Sequence, residues 1–349
     1  MRCVGASGHK AERSSARSRP HRLRMALQWL LLGLVALIAL LTAAAALYDA
    51  TSRPSVAVPP PDAHGHEVQT GDVRTRYEQW GRHGPVLVMI PGFVESSFVW
   101  RRVGPMLGRR FRVYALDVRG FGYTTHRAPY TLDADTAQLA AFLTALHLDA
   151  AHGSRPVLVG HSSGAAIAAN LARQRPGAVA GVVFADGDGT SAGAGPGWVH
   201  GLIVDPYFTA VLRLALRHPI VIRAVWNSVC GPYCPPLTGT ELDGWRRPLE
   251  VPGAEGALKA IVEAPLIGLS PRELATIRVP AAVLRGAGDP ALTASQARSI
   301  AGWVRAREIV TVPRARHLPM ISNPHRFAAD MTAIARSLAG RTAAGPSAA

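Results

Sequence analysis

The sequence predicts an α/β fold: a mostly parallel central sheet with helices on both faces and a helical cap insertion, preceded by one transmembrane helix. Three observations carry this. Short apolar runs recur at Pro85–Ile90, Pro156–Val159, Val182–Asp186, Ala281–Gly286 and Glu308–Val312. Continuous apolarity of that length, bounded by turn residues, is the pattern of strands buried on both faces. Between Arg155 and Asn170 one such run passes through a glycine-flanked serine into an alanine-rich stretch, a strand, turn and helix in succession. Near the start, Met25–Leu47 is uncharged and apolar over about the ~20 residues that a bilayer-spanning helix needs.

In chain order, residues 1–24 form a basic tail with Arg2, Lys10, Arg13, Arg17, Arg19, Arg22 and Arg24 against Glu12 alone, whereas Asp49 and Arg53 nearly balance just after the apolar run. The positive-inside rule therefore puts the N-terminus in the cytoplasm and the following domain outside. Cleavage near Ala44-Ala45-Ala46 is the rival, a secreted form, although signal peptides carry apolar regions of only ~7–15 residues. The run has no polar face, so it does not read as a helix of a soluble core. Residues 48–64 then form a linker, and Pro54, Pro59, Pro60 and Pro61 make it an extended spacer. The folded domain is expected over 65–340, with a disordered tail at 341–349. At 349 residues and 48% hydrophobic content the chain can bury one large core. The net charge of +15 is spread over scattered arginines without a nucleic-acid-binding motif, so it points to an anionic lipid or wall surface instead of nucleic acid.

The chemistry is expected at the ends of the strands. Gly160-His161-Ser162-Ser163-Gly164 matches G-x-S-x-G, a turn so tight that the residues two before and two after the serine must lack bulk. Ser162 is the expected nucleophile. The Ser163 N–H, at the first turn of the next helix, is an expected oxyanion donor, because unpaired donors and the positive dipole end lie there. Pro91-Gly92 follows an earlier strand, and the Phe93 N–H is the expected second donor. A serine hydroxyl needs a base held by a carboxylate. His317 lies in the loop after the last apolar run and Asp289 in the glycine-rich loop after the one before it. Asp186 and Asp188 also follow a strand and remain rival carboxylates, with a turn role as the alternative for both.

From Thr190 to Ser270 the strand and helix alternation gives way to helical patches, prolines and aromatics, among them Trp198, Tyr207, Trp226 and Trp245. A cap over the serine, about 190–270, is expected there. Of the three cysteines, Cys3 belongs to the tail, while Cys230 and Cys234 flank a Gly-Pro turn and are expected to bond outside the cell, with free thiols as the alternative. No histidine or third cysteine lies at ligand spacing, so no metal is expected, and the chemistry requires no cofactor.

These motifs resemble the α/β-hydrolase fold family, in its branch with a helical cap, over nearly residues 66–340. Pro91-Gly92-Phe93 stands where that family has His-Gly-Phe or His-Gly-Gly, and Asp117-Val-Arg-Gly-Phe-Gly122 where it has Asp-x-Arg-Gly-x-Gly. The resemblance implies structural roles for Asp117 and Arg119. Epoxide hydrolases and haloalkane dehalogenases of the family attack with an aspartate, and Ser162 argues against both. The expected activity is cleavage of a small-molecule carboxylic ester or amide through an acyl-enzyme on Ser162, His317 and Asp289. The rivals are perhydrolase, amidase or acyltransferase chemistry on the same residues, and an inactive membrane-anchored binding protein.

Overall fold

The computed structural model describes residues 18–52, 65–192, 206–264 and 266–340. The first 17 residues with Cys3, residues 53–64 of the expected linker, Trp198 in the insertion and the C-terminal tail lie outside the described residues, while the first residues of that linker, 48–51, belong to a helix.

Helix α1, Ser18–Thr51, is long and apolar enough to cross a membrane. It is longer than Met25–Leu47 because the backbone ladder continues through Arg19, Arg22 and Arg24 at one end and Tyr48–Thr51 at the other. Apolarity sets how much of a helix suits hydrocarbon, whereas the i to i−4 bonds set how long the helix is.

The chain next forms a hairpin, β1 (Gly65–Thr70) and β2 (Val73–Trp80), then β3 (Val86–Ile90), β4 (Arg112–Leu116), helix α2 (Leu132–Ala145), β5 (Val157–His161), α3 (Gly164–Gln174) and β6 (Gly181–Ala185). Helices α4 (Tyr207–Arg217), α5 (Pro219–Val229), α6 (Gly239–Arg246) and α7 (Ala254–Glu263) fill the insertion. The chain returns through β7 (Ala281–Gly286), α8 (Ala294–Trp303), β8 (Ile309–Val312) and α9 (Pro324–Ala339). These eight strands make one sheet in the order β1-β2-β4-β3-β5-β6-β7-β8. β2 is antiparallel to β1 and β4, and every other pairing is parallel.

Each parallel strand feeds both faces, because alternate side chains point to opposite sides. Val88, Leu158, Val182 and Val283 meet Leu139, Phe142, Ile167 and Ile300 from α2, α3 and α8. Leu87, Val159, Val183 and Leu284 meet Phe327, Met331 and Ile334 of α9 on the other face. β1, β2 and β4 have no counterpart among the apolar runs read from the sequence. β1 lies at the sheet edge with an exposed or half-buried pattern, and β2 carries charged and polar residues, so neither shows a continuous apolar signal.

Candidate active site

The sheet order brings the carboxyl ends of β3, β5, β6 and β7 side by side, the edge at which open α/β sheets assemble their sites. Ser162 follows β5 with φ 49°, a left-handed conformation that a non-glycine residue holds at a cost of roughly 1–3 kcal/mol. Close packing enforces it. A Cβ on Gly160 would lie 2.5 Å from the Ala165 Cα, and one on Gly164 2.5 Å from the Pro91 carbonyl oxygen. The Ser162 N–H is tied to the Ala185 carbonyl of β6 at 3.0 Å.

His317, in the loop after β8, places Nε2 3.1 Å from the Ser162 Oγ and Nδ1 3.0 Å from the Asp289 Oδ2. Asp289 also accepts the Ala291 N–H at 2.8 Å. Burial pushes the Asp289 carboxyl up, but the hydrogen bond and charge of His317, with the Asp186 and Ala291 bonds, outweigh it and hold its pKa below the usual aspartate value. Asp186 is buried beside Asp289 and accepts the Gly286 N–H at 2.6 Å. Burial, then the charge of Asp289 and a hydrogen bond to it, raise its pKa well above the ordinary value. Each acid of this buried pair disfavours the charge of the other. The structure thus brings Ser162, His317 and Asp289 together and leaves Asp186 beside them with no hydrogen bond to the imidazole. Asp188 is further off, its carboxylate accepting the Thr190 N–H at 2.8 Å in a turn.

Asp186, Asp289 and His317 offer ligand atoms within 4.8 Å of one another. An ion there would compete for the His317 Nδ1, which the Asp289 carboxylate already engages.

Gly92 lies against Ser162, since a Cβ there would fall 2.8 Å from the Ser162 Cβ. Phe93 and Ser163 flank that contact, and among the described residues no backbone acceptor is bonded to either N–H. Val94 next to them has φ 61°, unusual for a β-branched residue. Two residues that sequence reasoning missed explain how this loop is held. The Glu95 Oε2 accepts both the Gly92 N–H at 2.7 Å and the His161 Nδ1–H at 2.8 Å. The His161 Nε2 faces the His317 carbonyl at 2.8 Å. With an acceptor opposite each ring nitrogen, the fully buried imidazole is satisfied only when both carry protons. Burial lowers the His161 pKa, but the Glu95 charge and bond overcome it and raise it above the usual histidine value. Burial likewise pushes Glu95 up, and His161 brings it below the usual glutamate value. This ion pair ties the Gly92-Phe93 loop, the serine turn and the His317 loop into one unit. The available signal was a carboxylate three residues past Gly92 and a histidine just before the serine.

Asp117 accepts the Ser97 and Tyr123 N–H groups at 2.6 and 2.8 Å, and Arg119 pairs with Asp72, so both brace loops away from Ser162. Cys230 and Cys234 form a disulfide with Cα atoms 5.7 Å apart. The turn they close abuts the His317 loop: the His317 N–H donates to the Val229 carbonyl at 3.1 Å.

Above Ser162 and His317 opens a cavity of ≈ 470 Å³. Its walls are mainly apolar, from Leu216, Ile222, Trp226, Val229, Trp245 and Leu318, with Arg246 at one side.

Comparison with known proteins agrees with this architecture. Over 112 residues the chain is 37% identical to the N-formylmaleamate deformylase of Pseudomonas putida, covering 32% of this chain and 40% of that enzyme. It is 28% identical over 219 residues to the uncharacterized hydrolase YugF of Bacillus subtilis, covering 62% of this chain and 78% of that one. The chain thus spans well under half of the deformylase that it matches. Among solved structures, a membrane phospholipase A described as a bacterial virulence factor superposes with a TM-score of 0.62 at 24% identity, covering 91% of this chain and 99% of that one, a likeness of fold. The model of the alpha/beta hydrolase family matches residues 87–330, and the chain belongs to that family.

Proposed function

We propose that the protein is a serine hydrolase that cleaves a carboxylic ester through an acyl-enzyme. The observation that carries this reading is the continuous hydrogen-bonded line from Ser162 Oγ through the His317 ring to the Asp289 carboxylate. His317 takes the hydroxyl proton as Ser162 attacks the carbonyl carbon, and Asp289 holds the imidazole in the productive tautomer and stabilises the imidazolium. The oxyanion is received by the Phe93 and Ser163 N–H groups. His317 returns its proton to the leaving alcohol, and water, activated by the same base, releases the acid and frees Ser162. The apolar cavity supports an acyl group recognised by hydrophobic contact.

The helical insertion acts in this reading as a cap that closes over Ser162 and excludes water. Helix α1 acts as an uncleaved anchor, with the N-terminus in the cytoplasm and the hydrolase domain on the other side. Ser162→Ala is expected to abolish turnover of short p-nitrophenyl esters and labelling by a fluorophosphonate probe. Labelling of that variant at the parent rate overturns the assignment. Protease added to intact cells is expected to digest the domain and leave the tail protected; a protected domain overturns the orientation.

A further inference from the structure

Helices α4 and α5 are apolar on two faces. Inward, Leu216, Ile222, Trp226 and Val229 line the cavity over Ser162. Outward, Val211 is 65% exposed, Leu214 49%, Ile220 74%, Val221 43% and Val225 58%. A contiguous exposed apolar patch rimmed by polar side chains, here the exposed His218, Asn227 and Ser228 among them, marks a contact surface for protein or lipid. Arg217 and Arg223 border the outward residues, as basic groups border the apolar face of a helix lying in a membrane interface.

The placement of α4 says what covers this face. Tyr207, its first residue, bonds to Thr42 of α1 through the two hydroxyls. Ten residues on, Arg217 donates to the Ser52 carbonyl at 3.4 Å and lies over the Tyr48 ring at 5.5 Å. Between them Arg213 donates to the Asp49 carbonyl at 2.7 Å while paired with Glu255 of α7. α4 therefore runs alongside the last turns of α1. Thr42 is five residues inside the end of the apolar run at Leu47, about 8 Å at the rise of a helix, so a bilayer that holds α1 also reaches the first turns of α4.

We infer that the outward faces of α4 and α5 dock on the same membrane that holds α1, so that the cavity opens at the bilayer surface and takes long-chain acyl esters residing in that membrane. This rests on the reading of α1 as an anchor and of Ser162 as the nucleophile. Val225 belongs both to the exposed face and to the cavity lining, which puts the mouth at the docked surface. An acyl chain passing there moves from hydrocarbon to an apolar wall without crossing water, where every exposed methylene is disfavoured.

The full chain, in a Cys3→Ser background, is reconstituted into vesicles of phosphatidylcholine and phosphatidylglycerol with an environment-sensitive fluorophore on Ile220→Cys. Brominated lipid is expected to quench this probe, and not one on Ala150→Cys, which precedes β5 at the opposite edge of the sheet. In the unlabelled protein, Val211→Glu with Ile220→Glu is expected to slow hydrolysis of a long-chain fluorogenic ester embedded in the vesicles by about tenfold or more, the equivalent of one apolar side chain kept out of lipid, and to leave hydrolysis of soluble p-nitrophenyl acetate unchanged. An unquenched Ile220 probe on a chain that resists alkaline carbonate extraction overturns the docking and leaves the anchor standing. Release by carbonate overturns both. Disulfide-linked dimers through Ile220→Cys, shielded from lipid, give the face to a second copy and overturn the inference. Loss of p-nitrophenyl acetate hydrolysis in the unsubstituted parent strikes the hydrolase reading instead.

Discussion

The substitution Glu95→Gln tests whether the buried ion pair holds the site together. One carboxylate oxygen accepts from both Gly92 and His161, at 2.7 and 2.8 Å. The amide cannot reproduce this. If its oxygen takes that position, His161 without a counter-charge keeps one proton, and placing it on Nδ1 turns a bare Nε2 toward the His317 carbonyl. If its NH₂ group takes the position, it opposes the Gly92 N–H. At least one buried hydrogen bond is lost either way, a cost of about 1–3 kcal/mol. Because that bond positions either the Gly92-Phe93 loop or the His317 loop, the same range appears as a fall in kcat of roughly 5- to 150-fold with KM for a short ester little changed. The pair also gives stability a pH signature. The Glu95 pKa is depressed, so its contribution is present above the unfolded value of 4.5 and is lost as pH falls through the folded value. The His161 pKa is raised, so its contribution is full below 6.5 and is lost as pH rises through the folded value. The pair therefore stabilises most between 4.5 and 6.5, and Glu95→Gln removes that rise. Steady-state kinetics on p-nitrophenyl acetate and denaturant melts from pH 4 to 9 measure both effects. A variant whose kcat and pH-stability curve superpose on the parent's refutes the reasoning.

Asp186 and Asp289 should respond differently to the same change. Asp289→Asn removes the charge that steadies the imidazolium and fixes its tautomer, and kcat is expected to fall about 10⁴-fold. Asp186→Asn keeps an acceptor for the Gly286 N–H and leaves the bond between Asp289 and the imidazole in place, so kcat measured in parallel should stay within a few-fold; an equal loss in both variants contradicts Asp289 as the one carboxylate that serves His317. Cys234→Ser opens a loop of about five residues, a loss of roughly 2 kcal/mol on the chain-entropy account. A lowered melting temperature is expected, matched by dithiothreitol on the parent, and an unmoved Tm argues against the bond.

The pentapeptide around Ser162 was legible because its constraint is local: a strand, a helix and a turn whose neighbours at 160 and 164 must be glycine to avoid backbone atoms. His317 and Asp289 were legible by their positions after strands, since a strand's carboxyl end is where a sheet exposes a side chain. Apolarity alone marked α1 as long enough for a bilayer. Other features exist only in three dimensions. Glu95 and His161 are 66 residues apart and meet because β3 and β5 are neighbours in the sheet. The sequence left Asp186 and Asp289 as rivals; adjacent β6 and β7 make them a buried pair, of which Asp289 holds the imidazole. The outward face of α4 and α5 was equally hidden, because periodicity reports that a helix has apolar sides, and only packing tells which of them a neighbour already covers.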